Sequence, residues 1–97
     1  MKAVFENKVY NTETATLVYH WDNGRSWGDY GYNFTDFYIT KKGNWFKVYL
    51  QWHRAANNSW YEEAICPIEE EEALELMQHL GAVEEVETYF SDKLEEA

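Results

Sequence analysis

Carboxylates are the residues of this 97-residue chain whose type and spacing point most clearly to chemistry. Residues 67–97 hold eleven Asp and Glu side chains and a single Lys or Arg, Lys93, whereas residues 1–66 hold seven charges of each sign. The net charge of −10 therefore belongs entirely to the C-terminal part. A surface of one sign steers partners of opposite sign. It also argues against direct binding of DNA or RNA, which requires Lys and Arg to replace counterions on phosphates.

Seven of these carboxylates are candidate contacts for a basic protein surface. They are Glu70, Glu71, Glu75, Glu84, Glu85, Glu87 and Asp92. Carboxylates crowded along helices can imitate the negative charge that duplex DNA presents every ~1.7 Å along its axis. A solvated, solubilising face explains the same run, because most charge runs are of that kind and the dipole favours Glu in a first helical turn. The sequence permits both interpretations.

Aromatic side chains are the second candidate set. Sixteen of the eighteen lie in residues 1–66, more than one small core needs. Trp27, Tyr30 and Tyr32 alternate with glycines, which predicts rings exposed on an irregular strip and available as anchors, since Trp and Tyr supply most interface hot spots. A core with cross-strand aromatic pairs is the alternative. Stacking on a sugar is a third option without separate support.

Metal binding and catalysis have little support in the sequence. His20, His53, Cys66 and His79 are weak metal candidates, because none shows the close paired spacing of zinc sites, although they could meet in space. There is no Ser-His-Asp motif, phosphate-binding glycine loop or H-E-x-x-H. We therefore predict that the protein is not an enzyme and has no cofactor. The single cysteine excludes an internal disulfide and fits a reducing compartment.

Strands are predicted for the part of the chain that precedes the acidic residues. Period-2 alternation places Phe46, Val48, Leu50 and Trp52 on one face and Trp45, Lys47, Tyr49, Gln51 and His53 on the other. Asp22-Asn23-Gly24 predicts a tight hairpin turn, and residues 41–44 predict a hairpin loop. The predicted strands cover residues 8–10, 14–22, 34–40, 45–53 and 59–66.

Helices are predicted for residues 67–97. Ala73 to Leu80 keep i, i+3, i+4 apolar spacing, and Gly81 is the expected stop. A second helix begins near Val83, with Val86, Phe90 and Leu94 on one face. The order of elements predicts an α+β fold: an antiparallel four- to five-stranded sheet followed by two C-terminal helices packed on one face. Residues 1–97 form one domain, with an aromatic β-rich body (1–66) and an acidic helical part (67–97).

The location of the protein is predicted from what its sequence lacks. The first ten residues contain Lys2, Glu6 and Lys8 and no apolar run of a signal peptide. No stretch approaches the ~20 apolar residues of a membrane span. We therefore expect a cytoplasmic protein that binds no membrane.

Three segments together resemble a known group of proteins. They are residues 8–15 (KVYNTETA), residues 38–46 (YITKKGNWF), and ICPI at 65–68 leading into Glu71-Glu72-Ala73. This pattern resembles small acidic proteins of phages and integrative mobile elements, in which a tyrosine strand, a KKGNWF hairpin and an acidic C-terminal helix recur. The resemblance spans most of residues 8–80. It departs from the group in the aromatic loop at 27–32 and in the second acidic helix, and it transfers no functional residue.

The resemblance implies a counter-defence role in a bacterial host, because some small acidic proteins of this setting are anti-CRISPR proteins that inhibit a Cas nuclease. Together with the one-sided charge, it predicts a non-enzymatic inhibitor that binds a Cas nuclease or another nucleic-acid-binding defence protein. The alternatives are a homodimeric assembly module that uses the aromatic sheet face, including Trp45 and Tyr49, and a small zinc-containing protein.

Overall fold

The computed structural model of the chain describes residues 1–26 and 31–97. In these ranges the strands come first and the helices last, so the predicted α+β architecture is confirmed. The elements are β1 (Lys2–Phe5), β2 (Lys8–Asn11), β3 (Thr16–Asp22), β4 (Phe34–Ile39), β5 (Trp45–Ala55), β6 (Asn58–Ile68), α1 (Glu70–His79), α2 (Val83–Tyr89) and a 3₁₀ turn, Ser91–Lys93.

The main sheet is an antiparallel meander in the order β3-β4-β5-β6. Its register pairs Phe37 with Lys47 and Lys47 with Cys66, and one irregularity interrupts β3 between Leu17 and Tyr19. The pairing of β4 with β5 ends at Tyr49, whereas β5 and β6 continue together to their connecting turn. Among the described residues, the distal half of the β5–β6 hairpin therefore has a strand partner only within the hairpin.

The loop between β4 and β5 is the predicted hairpin loop of residues 41–44. Thr40 N–H donates to the Asn44 carbonyl at 2.8 Å, and Gly43 N–H donates to the Thr40 carbonyl at 2.9 Å. Gly43 has a φ of 88°, a conformation that costs glycine little and other residues much more. Asn44 N–H also donates to Thr40 Oγ1 at 3.0 Å. The loop is thus closed by three local hydrogen bonds.

The N-terminal hairpin, β1 with β2, was only half predicted. Its two-residue turn is Glu6-Asn7, and both residues have positive φ (49° and 65°), as a type I′ turn requires. The sequence predicts the second strand but not the first, because Glu-Asn is a much weaker turn signal than Asn-Gly. The hairpin packs through Tyr10, whose ring meets Phe46 edge-on at 5.5 Å between centroids.

The prediction of a tight hairpin turn at Asp22-Asn23-Gly24 is wrong. The β3–β4 connection runs from residue 23 to residue 33 and is closed by Asn23. Its backbone N–H donates to the Asn33 carbonyl at 3.1 Å, and its Nδ2 donates to the Gly31 carbonyl at 2.7 Å. The Asn side chain therefore bridges a wide loop, a role that such short polar side chains serve as readily as a tight turn.

The two helices cover one face of the sheet, as predicted. Their apolar stripe meets Phe37 and Trp45 of the sheet, and the Trp45 ring stacks on Phe90 at 5.2 Å. The Tyr19 hydroxyl donates to the Leu80 carbonyl at 3.4 Å and joins β3 to the end of α1. The buried residues of this cluster are Phe37, Trp45, Ala73, Met77, Ala82, Val86 and Phe90.

The opposite face of the sheet forms a second core. Phe46, Val48 and Leu50 are all buried there, which confirms the predicted alternation along β5 for these residues. Tyr10 of the N-terminal hairpin packs against them together with Tyr32, Phe34 and partly buried neighbours. Both faces of the central strands are therefore covered, and this explains the high aromatic content of the body.

The C-terminal segment departs from the predicted second helix. The helix α2 ends at Tyr89, and Phe90 has φ −130°, which breaks the helical path. Leu94 is 37% exposed and extended, so its predicted place on the buried helical face is wrong. The stop at Gly81 is confirmed: it has φ 82°, and the next N–H, that of Ala82, donates back to the Met77 carbonyl at 2.9 Å.

Candidate functional site

The candidate site is the acidic helical face, which we define as the outward surface of α1, α2 and the turn that follows. Ala73 and Met77 are fully buried, so the carboxylates on the other sides of α1 point away from the sheet. Six of the seven predicted contact residues are exposed, and Glu85 is half-buried. Because α1 and α2 cover the same sheet face, the carboxylates of both helices lie on one side of the molecule.

Local charge compensation on the acidic helical face is weak. The one ion pair found for the seven carboxylates in the described ranges joins Glu70 Oε1 to Lys93 Nζ at 3.9 Å. Both side chains are well exposed, and exposed pairs contribute roughly 0–1 kcal/mol. Acidic side chains in the first turns of α1 and α2 suit the helix dipole. Glu95 and Glu96 follow the last turn and belong to no helix or strand. The face therefore retains its negative charge.

The predicted aromatic anchors divide into two groups. Trp27 and Tyr30 lie outside the described residues. Tyr32 is buried, so the prediction of an exposed ring at this position is wrong. Its ring packs against Phe34 at 6.0 Å, and its carbonyl accepts a hydrogen bond from Trp52 Nε1 at 3.2 Å. Desolvation, followed by the nearby carboxylates of Asp22 and Asp36, raises the pKa of the Tyr32 hydroxyl.

Exposed tryptophans occur instead on the distal half of the β5–β6 hairpin. Trp60 is 41% exposed and Trp52 is 36% exposed. The Trp60 ring stacks on His53 at 5.3 Å, and Trp52 meets Tyr61 edge-on at 4.8 Å. The alternation along β5 predicts Trp52 on the same face as Phe46, Val48 and Leu50, but Trp52 lies past the point where β4 stops pairing and is therefore more exposed than these three residues. The sequence does not show where β4 stops pairing with β5, so the exposure of Trp52 could not be predicted from it.

A cluster of titratable groups joins the ends of β3 and β4. His20 Nδ1 contacts Asp36 Oδ1, and His20 Nε2 lies 3.0 Å from Asp22 Oδ2. Partial desolvation lowers the pKa of His20, but hydrogen bonds and charge from the two carboxylates outweigh it, so the pKa is raised. The Gly24 N–H, which donates to Asp22 Oδ1 at 2.8 Å, and then His20 lower the pKa of Asp22. When protonated, His20 therefore forms ion pairs with both carboxylates and links the two strands.

The four weak metal candidates are not brought together. His20 is engaged by Asp22 and Asp36, and His53 Nε2 lies 3.9 Å from Glu62 Oε1. The Cys66 thiol donates to the Pro67 carbonyl at 3.4 Å. His79 is an exposed residue in the last turn of α1. Within the described part of the chain, no group of three or more His, Cys, Asp or Glu side chains could hold a metal ion.

The residues named for a dimeric sheet face occupy different environments. Trp45 is 5% exposed beneath α2, so it cannot contact a second copy without undocking the helix. Tyr49 lies on the same side of β5 and is half-buried, with Lys47 Nζ 5.3 Å from its ring centroid. A dimer formed through this face would therefore use the distal part of the sheet and leave the helix-covered part unchanged.

Neither helix of the described ranges combines the length and the apolar composition that crossing a membrane requires.

Comparisons of the chain with protein-family models, with curated proteins and with solved structures give no match.

Proposed function

We propose that the protein is a non-enzymatic inhibitor that uses its acidic helical face to occupy a basic nucleic-acid groove of a target protein. The target class is a Cas nuclease or another nucleic-acid-binding defence protein of a bacterial host, in whose cytoplasm the inhibitor acts. The observation that carries the proposal is the exposed, largely unpaired set of carboxylates on one side of the fold. The resemblance of residues 8–80 to proteins of phages and mobile elements supports the choice of target.

The physical basis of the proposal is that the carboxylates of the protein take the place of DNA phosphates in the groove of the target. A groove that binds DNA is lined by Lys and Arg, which DNA contacts through its phosphates. Carboxylates such as Glu71, Glu84 and Glu87 on a packed helical scaffold offer the same charge without a nucleic-acid ligand. Since the contact is electrostatic and surface-exposed, association should be fast at low salt and weaken as the Debye length shrinks from ~10 Å at 0.1 M to ~3 Å at 1 M.

Aromatic anchors add contact area that does not depend on salt. Trp27 and Tyr30 stay predictions for this role, and the burial of Tyr32 removes it from the set. Trp52 and Trp60 are exposed and join the candidates. Trp is among the residues most enriched at interface hot spots. The proposal therefore has a charged component and an aromatic component that can be tested separately.

Charge reversal on α2 tests the proposal. In Glu84→Lys/Glu87→Lys, two exposed side chains change sign, and the net charge falls in magnitude from −10 to −6. The reversed charges would repel the Lys and Arg of the groove, so inhibition of target-DNA cleavage by the susceptible nuclease should weaken at least about tenfold. Circular dichroism and thermal melting would verify that the fold is retained.

A matched control tests whether inhibition depends on where the negative charge lies or only on the total net charge. Glu13→Lys/Glu63→Lys also changes two exposed residues and also gives a net charge of −6, but both positions lie in the β-rich body. The proposal expects this control to inhibit nearly as well as the unmodified protein. Equal inhibition by the two double variants would refute a specific role for the acidic helical face.

A homodimeric module is the second candidate, because the exposed aromatic rings and an unpaired sheet edge coincide. In the described sheet, β6 has β5 as its neighbour on one side and no strand on the other. Edge strands of this kind readily pair with another chain unless they are protected. Mass in solution discriminates this candidate: a dimer that becomes a monomer in Trp60→Ala or Tyr49→Ala would favour it, and a monomeric unmodified protein would exclude it.

A further inference from the structure

A basic groove lies between the N-terminal hairpin and the β4–β5 loop. It has a volume of about 450 Å³, within the ~300–1,000 Å³ range of small-molecule sites. Lys8 from β2 and Lys41 and Lys42 from the loop all line it. Three of the eight Lys and Arg residues of a chain with net charge −10 therefore meet in one groove. The described residues that line it are Asn7, Lys8, Val9, Thr14, Thr40, Lys41, Lys42 and Asn44.

The groove contains donors without a compensating carboxylate. Among the described residues, no Asp or Glu lines the groove, and no ion pair is found for Lys8, Lys41 or Lys42. Lys8 Nζ makes one long contact, 3.4 Å, with Asn44 Oδ1. Because Thr40 Oγ1 accepts the Asn44 N–H, its own hydroxyl proton is free to be donated. The site therefore combines ammonium groups with neutral hydroxyl and amide donors.

The scaffold around these donors is well defined. The β4–β5 loop is held by hydrogen bonds between Thr40, Gly43 and Asn44, which define the backbone from which the two loop lysines extend. The opposite wall contains Asn7 of the type I′ turn and Lys8 directly after it. The contact between Lys8 and Asn44 spans the two walls. Sites preorganised in this way lose less entropy when they bind a ligand.

We propose that this basic groove binds a small ligand through two or three linked phosphate groups. Phosphate oxygens are pure acceptors, and lysine ammonium groups, hydroxyls and amides are their usual protein donors. Three lysines match the charge of a di- or triphosphate. The described residues of the lining include no aromatic ring and one apolar side chain, Val9, so they offer no surface for stacking a base. Recognition would therefore concern the phosphate chain and not the group attached to it.

Carboxylates beside the basic groove favour a short ligand over a polymer. A neighbouring groove shares Lys8 and Asn44 with the basic groove but is also lined by Glu6, Glu69 and Glu72. A nucleic-acid strand leaving the basic groove on that side would meet carboxylates, whereas a di- or triphosphate confined to the groove would not. At physiological salt, charges beyond ~8 Å are largely screened from a ligand of this size.

Titration of the intact, ¹⁵N-labelled protein with tripolyphosphate at 0.15 M salt tests the proposal. Amide shift changes should concentrate at residues 7–9 and 40–44 and saturate with a submillimolar Kd. ATP should bind with an affinity within about threefold of that of tripolyphosphate, and adenosine should not bind. Shifts spread over exposed lysines outside the groove, or no saturation up to 10 mM ligand, would overturn the proposal.

Matched variants identify the lysines responsible. Lys41→Gln/Lys42→Gln should weaken tripolyphosphate binding about tenfold or more, because two ammonium contacts are lost. Lys2→Gln/Lys47→Gln removes the same charge from residues that do not line the groove and should change the Kd less than twofold. Equal weakening in both variants would show a non-specific charge effect. A single-stranded oligonucleotide could instead bind more tightly than tripolyphosphate and lose this binding in Lys41→Gln/Lys42→Gln. That result would overturn the proposal of a small ligand and identify a nucleic-acid backbone as the ligand.

Discussion

Replacement of Phe90 tests whether the acidic helices are firmly docked, on which the functional proposal depends. Phe90 is fully buried, stacks on Trp45 at 5.2 Å and lies directly after α2. Phe90→Ala would remove a buried ring from the cluster that holds both helices, at a cost of ~3–5 kcal/mol. Domains of this kind have total stabilities of about 5–15 kcal/mol. A loss of 3 kcal/mol corresponds to a Tm lower by roughly 12 °C or more in a domain of this size.

Tyr89→Ala is the matched control for this prediction. Tyr89 is the residue directly before Phe90 and also touches Trp45, but its side chain is 38% exposed. Its removal should cost much less, about 1 kcal/mol, because the ring is already partly solvated. Urea and thermal unfolding, followed by circular dichroism, measure both effects. If Phe90→Ala does not fold, Phe90→Leu provides a smaller perturbation with the same direction. Equal effects at the two positions would show that α2 is not docked as described.

Two further predictions concern the body of the protein. His20 has a raised pKa, so its contribution to the free energy of unfolding should be fully present below pH 6.5 and be lost as the pH rises through the folded-state pKa. In urea unfolding, the unmodified protein should therefore exceed His20→Gln in stability by more at pH 6 than at pH 8.5. A difference that does not depend on pH would contradict the ion pairs of His20 with Asp22 and Asp36. In the same assay, Gly43→Ala should lower the free energy of unfolding by about 1 kcal/mol, because the φ of 88° is unfavourable for alanine. The added Cβ itself would meet open space and cause no clash. An unchanged stability would show that the loop relaxes to another conformation.

Periodicity explains which parts of the fold were predictable. The alternation along β5 placed Phe46, Val48 and Leu50 on one face, because the period of a strand is fixed by its backbone geometry, and the structure shows that this face is buried. The apolar spacing of α1 and the stop at Gly81 were found for the same kind of reason. Leu94 continued the helical spacing, but spacing does not show where the helix ends, and α2 stops before it.

Tertiary proximity explains what the sequence did not predict. Glycines on both sides of Tyr30 suggested exposed rings through residue 32, but Tyr32 enters the core beside Phe34. The basic groove joins Lys8 to Lys41 and Lys42, which are distant in sequence and meet only because the N-terminal hairpin packs against the β4–β5 loop. The charge segregation needed no structure to be recognised, since it is a property of composition along the chain.

The central claim is that negative charge on the helical face makes the inhibitory contact. The most direct test is to mix the purified protein with a panel of guide-loaded Cas nucleases and to measure target-DNA cleavage at low and moderate salt. The account predicts that at least one nuclease is inhibited and that its inhibition weakens as salt rises. Inhibition that is indifferent to salt would move the contact to the aromatic residues, and cleavage unaffected across the panel would contradict the proposed function.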